Sequence, residues 1–246
     1  MHHKDSSARE RAYEYIQGKI LSGEWSGGTV LSELALSKEM AISRTPIREA
    51  VRQLAGEGFL EQAPNRVMAV ASLTRADIAD LYELREAIEV YAVGKAARFT
   101  LSDAHLERLR GFLKDSEALV ADLDASGRGR LDEEQMQRFI HADLGFHTLL
   151  LHTAANRRML KLVSETRLLI RIFSIRRDGH SADQLRAINR QHAAILEAVA
   201  AGRGDEAKNL LGEHIRVSGQ ERMEAYDHWE RERVLNGSLT THIAAR

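Results

Sequence analysis

The sequence predicts a mostly α-helical protein of two domains, on three observations. Two prolines and an aromatic share of 5% stand beside abundant Ala, Leu, Glu and Arg, residues that lose little rotamer freedom in a helix. Apolar residues recur at intervals of three and four along most of the chain. The exception is a stretch near residues 59–71, where two short apolar runs flank a turn-like tetrad. With 246 residues, 43% of them hydrophobic, the chain is long enough for one large domain or two ordinary ones, and a folded rather than a disordered protein is expected.

The elements follow in order. Ala12, Tyr13, Ile16 and Ile20 give a first helix from about Arg9 to Leu21, stopped by Gly23. Ser32 is a good N-cap for a second, short helix carrying Leu34, Leu36 and Met40. A third begins near Ser43 or Thr45, with Pro46 tolerated in its first turn, and ends near Gly58. Phe59–Gln62 and Val67–Ala71 read as strands around Ala63, Pro64, Asn65 and Arg66. Three helices and a hairpin make a winged helix-turn-helix domain over residues 1–72. Thr74 and Asp77 then open long amphipathic helices, expected at 75–98, 103–123, 132–152, 157–174, 182–201 and 204–232. They form an all-helical bundle over residues 73–235. Residues 236–246 lack a strong period and are expected to fray.

The absence of cysteine removes disulfides, thiolate metal sites and cysteine nucleophiles, and fits a reducing compartment. No apolar run nears the roughly 20 residues that span a bilayer, and the start is polar, so a cytoplasmic protein without a membrane partner is expected. His2 and His3 are given no role. Lys plus Arg number 35 against 36 Asp plus Glu, and within residues 1–72 the two signs balance at nine each. Any contact with a polyanion must therefore come from local arrangement.

Such an arrangement exists on the third helix. Ile47, Val51 and Leu54 mark its inward face, while Arg44, Arg48 and Arg52 step by four residues along a neighbouring face. An α-helix fits the major groove, where Arg pairs with guanine O6 and N7, and Arg also grips phosphates. Ser43 and Thr45 add hydroxyls at the helix's positive end. By itself the ridge is equally a solvated face. The run LSELALSKEMAISRTPIREAVRQLAGEGFL, Leu31–Leu60, resembles the winged-helix signature of GntR-type bacterial transcription regulators. The resemblance implies that Arg44, Thr45 and Arg48 touch operator DNA, with Arg52 and the wing residues Asn65 and Arg66 as weaker carry-overs. Two departures stand out: Gly27-Gly28 where the family often has Pro-Gly, and Val67 where a wing-tip glycine is common.

In the bundle, polar residues occupy apolar slots. The stripes are Met136, Ile140, Asp143, His147, Leu150; then Leu185, Ile188, His192, Ile195, Val199; then Ala207, Leu211, His214, Val217; and Ile78, Leu81, Arg85, Ile88, Ala92. Burying unpartnered polar groups costs several kcal/mol, roughly, so the polar insertions in these four stripes should meet at a common centre. A cation is the simplest one. Side chains four apart lie about 5 to 6 Å apart at Cβ, so Asp143 and His147 can converge on one ion, completed by His192 and His214. Three imidazoles and a carboxylate suit a divalent transition metal, Zn and Ni foremost, with Co, Mn and Fe also compatible and Ca disfavoured. A metal-free, hydrogen-bonded Asp and His cluster is the alternative. His141, His152 and His180 lack the inward register, and Trp25 and Trp229 are expected to pack.

DLGFH at Asp143–His147, Asn156, His192 and His214 look like the FCD ligand-binding domain of the FadR subfamily. That resemblance implies an all-helical bundle in which Asp143, His147, His192 and His214 hold a divalent metal. LYELREAIE, Leu81–Glu89, matches the family's LxELRxxxE segment, which implies that Arg85 lines an effector cavity; Asn156 is as readily a helix cap as an effector contact. The function expected is a homodimeric regulator, more often a repressor in this family, that binds a two-fold-related DNA operator under control of a small organic acid. Two alternatives remain: a metalloenzyme using the bundle's site, and a metal-free regulator responding to a larger acyl ligand. HExxH, GxSxG, a P-loop and a strand-to-helix GxGxxG are all missing from the sequence, which weighs against the enzyme.

Overall fold

The computed structural model describes residues 7–63, 66–99, 101–154, 156–172 and 179–243. Its elements run α1 (Ala8–Leu21), β1 (Val30–Leu31), α2 (Glu33–Met40), α3 (Arg44–Gly56), β2 (Leu60–Gln62), β3 (Met68–Val70), α4 (Arg75–Ala96), α5 (Asp103–Ser126), α6 (Glu133–His152), α7 (Arg157–Ile172), α8 (Ala182–Ala200) and α9 (Gly204–Ile243). The described chain divides into two compact units, residues 7–74 with 168–172 and residues 75–167 with 179–243. The sequence reading placed the whole of α7 in the second domain.

In the first unit, Ser7 and Glu10 form a reciprocal capping box that starts α1, a cap the sequence reading passed over. The Ser32 hydroxyl accepts from the Ala35 amide and starts α2 as expected. Ser43 precedes α3 without a side-chain cap bond. Ala12, Ile16 and Ile20 of α1 pack with Leu36, Ile47, Val51, Leu54, Phe59 and Val70, all buried. Trp25 meets this core with its ring edge-on to Tyr15.

The strands are shorter than expected, and among the described residues there are three, in the order β1-β3-β2 and all antiparallel. β1 went unforeseen because two residues carry no readable period; only its partner β3, reached through Val30↔Ala69, makes it a strand. Gly28, at φ +82°, turns the chain into it and donates its amide to the Val70 carbonyl, so the second glycine of Gly27-Gly28 sits in the left-handed region that glycine enters freely. At the wing tip, the left-handed residue is Arg66 at φ +64° rather than Val67. Asn65 and Pro64 lie outside the described residues, as do His2 and His3.

In the second unit, capping boxes start α6 at Asp132 and α8 at Ser181, and Ser102 caps α5. Leu119 and Leu123 of α5 pack with Phe139 and Leu185, while Ala92, Leu151 and Val163 form a second cluster. Two expectations need correcting. On α4 the buried stripe is Ile78, Tyr82, Arg85, Glu89 and Ala92, so the face is turned toward Tyr82 and Glu89, and Leu81 and Ile88 are only half-buried. The tail also does not fray where expected, since α9 continues to Ile243. Extending a formed helix fixes one residue per hydrogen bond gained, and no proline follows Trp229 to stop it.

Candidate metal centre and DNA-reading helix

α6, α8 and α9 each deliver imidazoles to one point inside the second unit. His147, His192 and His214 are buried, at 0%, 3% and 3% exposure, and Asp143 is half-buried one turn before His147. The His192 Nε2 lies 3.2 Å from His147 Nε2 and 3.2 Å from His214 Nε2. Asp143 Oδ1 stands 3.7 Å from the Nε2 atoms of both His147 and His192. One donor atom from each of the four residues falls within 4.8 Å of all the others. Phe146 stacks on the His192 ring at 4.5 Å between centroids and closes one side.

The outer nitrogens fix the proton positions. His147 Nδ1 lies 3.1 Å from Glu89 Oε2 and His214 Nδ1 lies 2.8 Å from Gln191 Oε1. Both partners are acceptors there, so each Nδ1 carries the proton and each Nε2 turns a lone pair toward His192. His192 Nε2 holds one proton at most and can satisfy only one of them. Doubly protonated rings do not solve this, because burial pushes all three imidazoles down, His192 to about 3 with His147 adding to the effect, His147 with help from Arg167, and His214 with help from His192. Burial opposes ionisation of Asp143, but the charged guanidinium of Arg167, 3.2 Å away, helps to outweigh it, and the carboxyl is held well below its usual range.

Converging lone pairs beside an ionised carboxylate fit a cation. Two nitrogens on one ion at about 2.0–2.1 Å and a tetrahedral angle lie about 3.3–3.4 Å apart, close to the 3.2 Å found. Asp143, His147, His192 and His214 thus form a cluster that could hold a metal ion.

Behind the cluster sits a charge network that sequence reasoning missed. Glu89, 0% exposed, accepts from Arg85 Nε at 2.8 Å, from Arg167 Nε at 3.0 Å and from Arg167 Nη2 at 2.9 Å. Burial works against its ionisation, yet Arg167 and Arg85 hold its carboxyl well below the ordinary value. Arg167 also reaches Asp143 Oδ2 with Nη1 at 3.2 Å. Glu89 was legible in principle, four residues after Arg85 on one helix face. Nothing in the local pattern of α7 marks Arg167.

Arg85 is buried as expected, its guanidinium 4.8 Å from the Tyr82 ring centroid, and its Nη1 and Nη2 make no hydrogen bond among the described residues. Asn156 caps α7, one of the two roles considered for it: its Oδ1 accepts from the Arg158 and Met159 amides. His141 and His152 are exposed and stay out of the cluster. His180 packs its ring edge on Phe139, and burial, reinforced by Arg222, pushes it down to about 4. Trp229 is 37% exposed and touches Tyr226, so it is less buried than expected.

In the first unit, α3 buries Ile47, Ala50, Val51 and Leu54 and exposes Ser43, Arg44, Thr45, Arg48 and Arg52. Arg66 is exposed on the wing. Glu33 at the start of α2 lies 3.2 Å from Arg48 Nε and 3.8 Å from Arg44 Nη2, a carboxylate on the arginine ridge that the sequence reading did not single out. Among the described residues no helix is long and apolar enough to cross a membrane.

Comparison with known proteins agrees with this architecture. The description "Bacterial regulatory proteins, gntR family" matches residues 8–70 and "FCD domain" matches residues 80–217. The chain is similar to the Nta operon transcriptional regulator of Aminobacter aminovorans, 31% identical over 76% of this chain and 81% of that protein. It is also similar to the probable D-xylose utilization operon transcriptional repressor of Paenarthrobacter nicotinovorans, 26% identical over 82% and 83%. Among solved structures, E. coli McbR/YncC shares the fold with a TM-score of 0.70 at 17% identity, over 90% of this chain and 99% of that one. The chain therefore belongs to the gntR family of bacterial regulatory proteins, in the form that carries an FCD domain, and is a DNA-binding transcription regulator rather than an enzyme.

Proposed function

We propose that this regulator is a dimeric repressor whose grip on its operator is controlled by a small organic acid bound at a divalent transition metal in the helical unit. The observation that carries the reading is the trio of facing imidazole nitrogens, two of them fixed as lone pairs by Glu89 and Gln191. Asp143, His147, His192 and His214 are its metal ligands. Zn and Ni suit this donor set best. When bound, the ion supplies Lewis acidity to a carboxylate at its open positions. Arg85, with its terminal N–H groups unspent, stands ready as a counter-charge for that carboxylate.

At the other end, Arg44, Thr45 and Arg48 read the operator, helped by Ser43 and Arg52, while Asn65 and Arg66 supply the wing. The repressor reading is favoured by the similarity to the probable D-xylose utilization operon transcriptional repressor of Paenarthrobacter nicotinovorans. To change occupancy, the acid must bind one conformation better than the other, and a typical coupling of about 1 to 3 kcal/mol gives a roughly 5- to 150-fold change in affinity.

The test has two readouts. Metal analysis of purified wild type and of a His192→Ala/His214→Ala variant should show about one divalent ion in the first and little in the second. Small carboxylates, screened with and without chelator, should shift thermal stability and release operator DNA only where metal is present. Equal, negligible metal in both proteins would instead overturn the metal site and support the metal-free, acyl-ligand reading.

A further inference from the structure

α4 has a second face that the bundle leaves uncovered. Its core stripe, Ile78, Tyr82, Arg85, Glu89 and Ala92, is buried, whereas Leu84 is 42% and Tyr91 62% exposed. On the side away from the core, within an arc of about 100°, the helix carries two acids, four apolar residues and two bases in that order. The order is symmetric. Ala87 and Ile88 sit at the centre, Leu84 and Tyr91 three residues outside them, Asp80 and Lys95 seven, and Asp77 and Arg98 ten. Ile88 and Lys95 are half-buried and the other six are exposed. Arg98 lies in the turn that closes α4, its amide donating to the Lys95 carbonyl.

A stripe symmetric in position and opposite in charge at its two ends is complementary to its own reverse. Two copies of α4 packed antiparallel, about a two-fold axis that crosses between Ala87 and Ile88, set Leu84 of one copy against Tyr91 of the other. Asp80 then faces Lys95, Asp77 faces Arg98, and the symmetry makes every contact twice. At 1.5 Å rise per residue the charged pairs stand about 11 and 16 Å from the axis, within reach of long side chains when helices cross at about 20°. Parallel packing would instead set acid on acid and base on base. Within the chain, Asp80 and Lys95 make no hydrogen bond or ion pair among the described residues, so both charges are open to a partner. A stable interface buries about 800 Å2 per partner, more than one helix face offers. The apolar rim does continue: Ile88 of α4 and Met159 and Leu160 of α7 are half-buried around the Ala92, Leu151 and Val163 cluster.

We propose that this stripe is the contact between two copies of the chain, with α4 paired antiparallel to α4 of the partner and Tyr91 as its aromatic anchor. The inference rests on the dimeric part of the proposed function, to which it adds a face and a register, and it is independent of the metal.

Sedimentation velocity of the full chain across a dilution series tests it. Wild type should be a dimer. Asp80→Lys and Lys95→Asp each set like charges opposite one another twice per dimer, and each should weaken association about tenfold or more, as should Tyr91→Ala. The two charge variants, mixed in equal amounts, should associate with each other at close to wild-type affinity, because every facing pair is then of opposite sign. All three changes lie on the surface, and an unaltered thermal denaturation midpoint checks that each variant is folded. If all three variants dimerise as wild type does, the interface is elsewhere, which overturns the inference and leaves the dimeric reading standing. Charge variants that dimerise normally while Tyr91→Ala does not, or that weaken without rescuing one another, overturn the antiparallel register. A wild type that stays monomeric at the highest concentration removes the dimeric reading first, and this inference falls with it.

Discussion

Glu89 Oε2 lies 3.1 Å from Nδ1 of His147, and this contact fixes which imidazole nitrogen is free to face the cluster. The same carboxylate anchors Arg85 and Arg167, so one fully buried acid on α4 orients the imidazole of His147 on α6 and two guanidinium groups. Glu89→Gln should therefore act twice. Leaving two buried arginines without a full counter-charge should cost about 3–5 kcal/mol of unfolding free energy, measured by urea denaturation in chelator. Metal affinity in the protein that remains folded should fall about 10- to 100-fold, as expected when the carboxylate behind a ligating His is lost. Unchanged stability and unchanged metal affinity would show that the network does not orient the site.

Acid should weaken the metal-free protein in a defined window. His180 is pushed down to about 4 and His192 to about 3, with His147 and His214 also lowered, so the unfolded chain takes up protons that the folded one refuses. Stability from such groups is complete above their unfolded value near 6.5 and is lost as pH falls toward the folded values. For His180 alone the loss between pH 6.5 and pH 5 is on the order of 2 kcal/mol. Glu89 and Asp143, both held low, extend the loss below about pH 4.5. Urea midpoints in chelator should drop steadily from pH 7 to pH 4.5, and His180→Gln should flatten the slope. A midpoint that rises on acidification would contradict the assigned directions.

Glu33, the first residue of α2, lies against the arginine ridge of α3 that is proposed to meet DNA. Its contacts with Arg48 at 3.2 Å and Arg44 at 3.8 Å must give way to phosphate or base contacts, and its own charge opposes the approach. Glu33→Gln should raise affinity for non-operator DNA several-fold at low salt, whereas Arg48→Ala should weaken operator binding. If a dimer neutralises roughly eight phosphates, affinity should fall about a thousandfold or more between 50 and 200 mM salt. Fluorescence anisotropy across that range checks all three, and a flat salt response refutes the contact number.

Asn156 offers a clean separation of cap from ligand contact. As the acceptor for the Arg158 and Met159 amides it should contribute about 0.5–2 kcal/mol, lost in Asn156→Ala and kept in Asn156→Asp, because both Asn and Asp cap well. Thermal denaturation in the absence of effector reads this directly. A loss of carboxylate binding in Asn156→Ala without any change in stability would return the residue to the effector site.

The chain's own pattern determined a good deal. Helical periodicity located both the winged unit and the bundle, because burial of one face imposes the same spacing wherever it occurs. The interruption of apolar stripes by Asp143, His147, His192 and His214 was legible for the same reason, since each polar side chain stands out against its own helix. Pairing between segments decided the rest. The two-residue β1 exists only through β3, and the turn of α4 that buries Tyr82 and Glu89 instead of Leu81 and Ile88 comes from what α6, α8 and α9 present to it. Arg167 and Gln191 acquired their places at the centre only when distant helices met, because a hydrogen-bond partner some 20 to 80 residues away leaves no trace in local spacing.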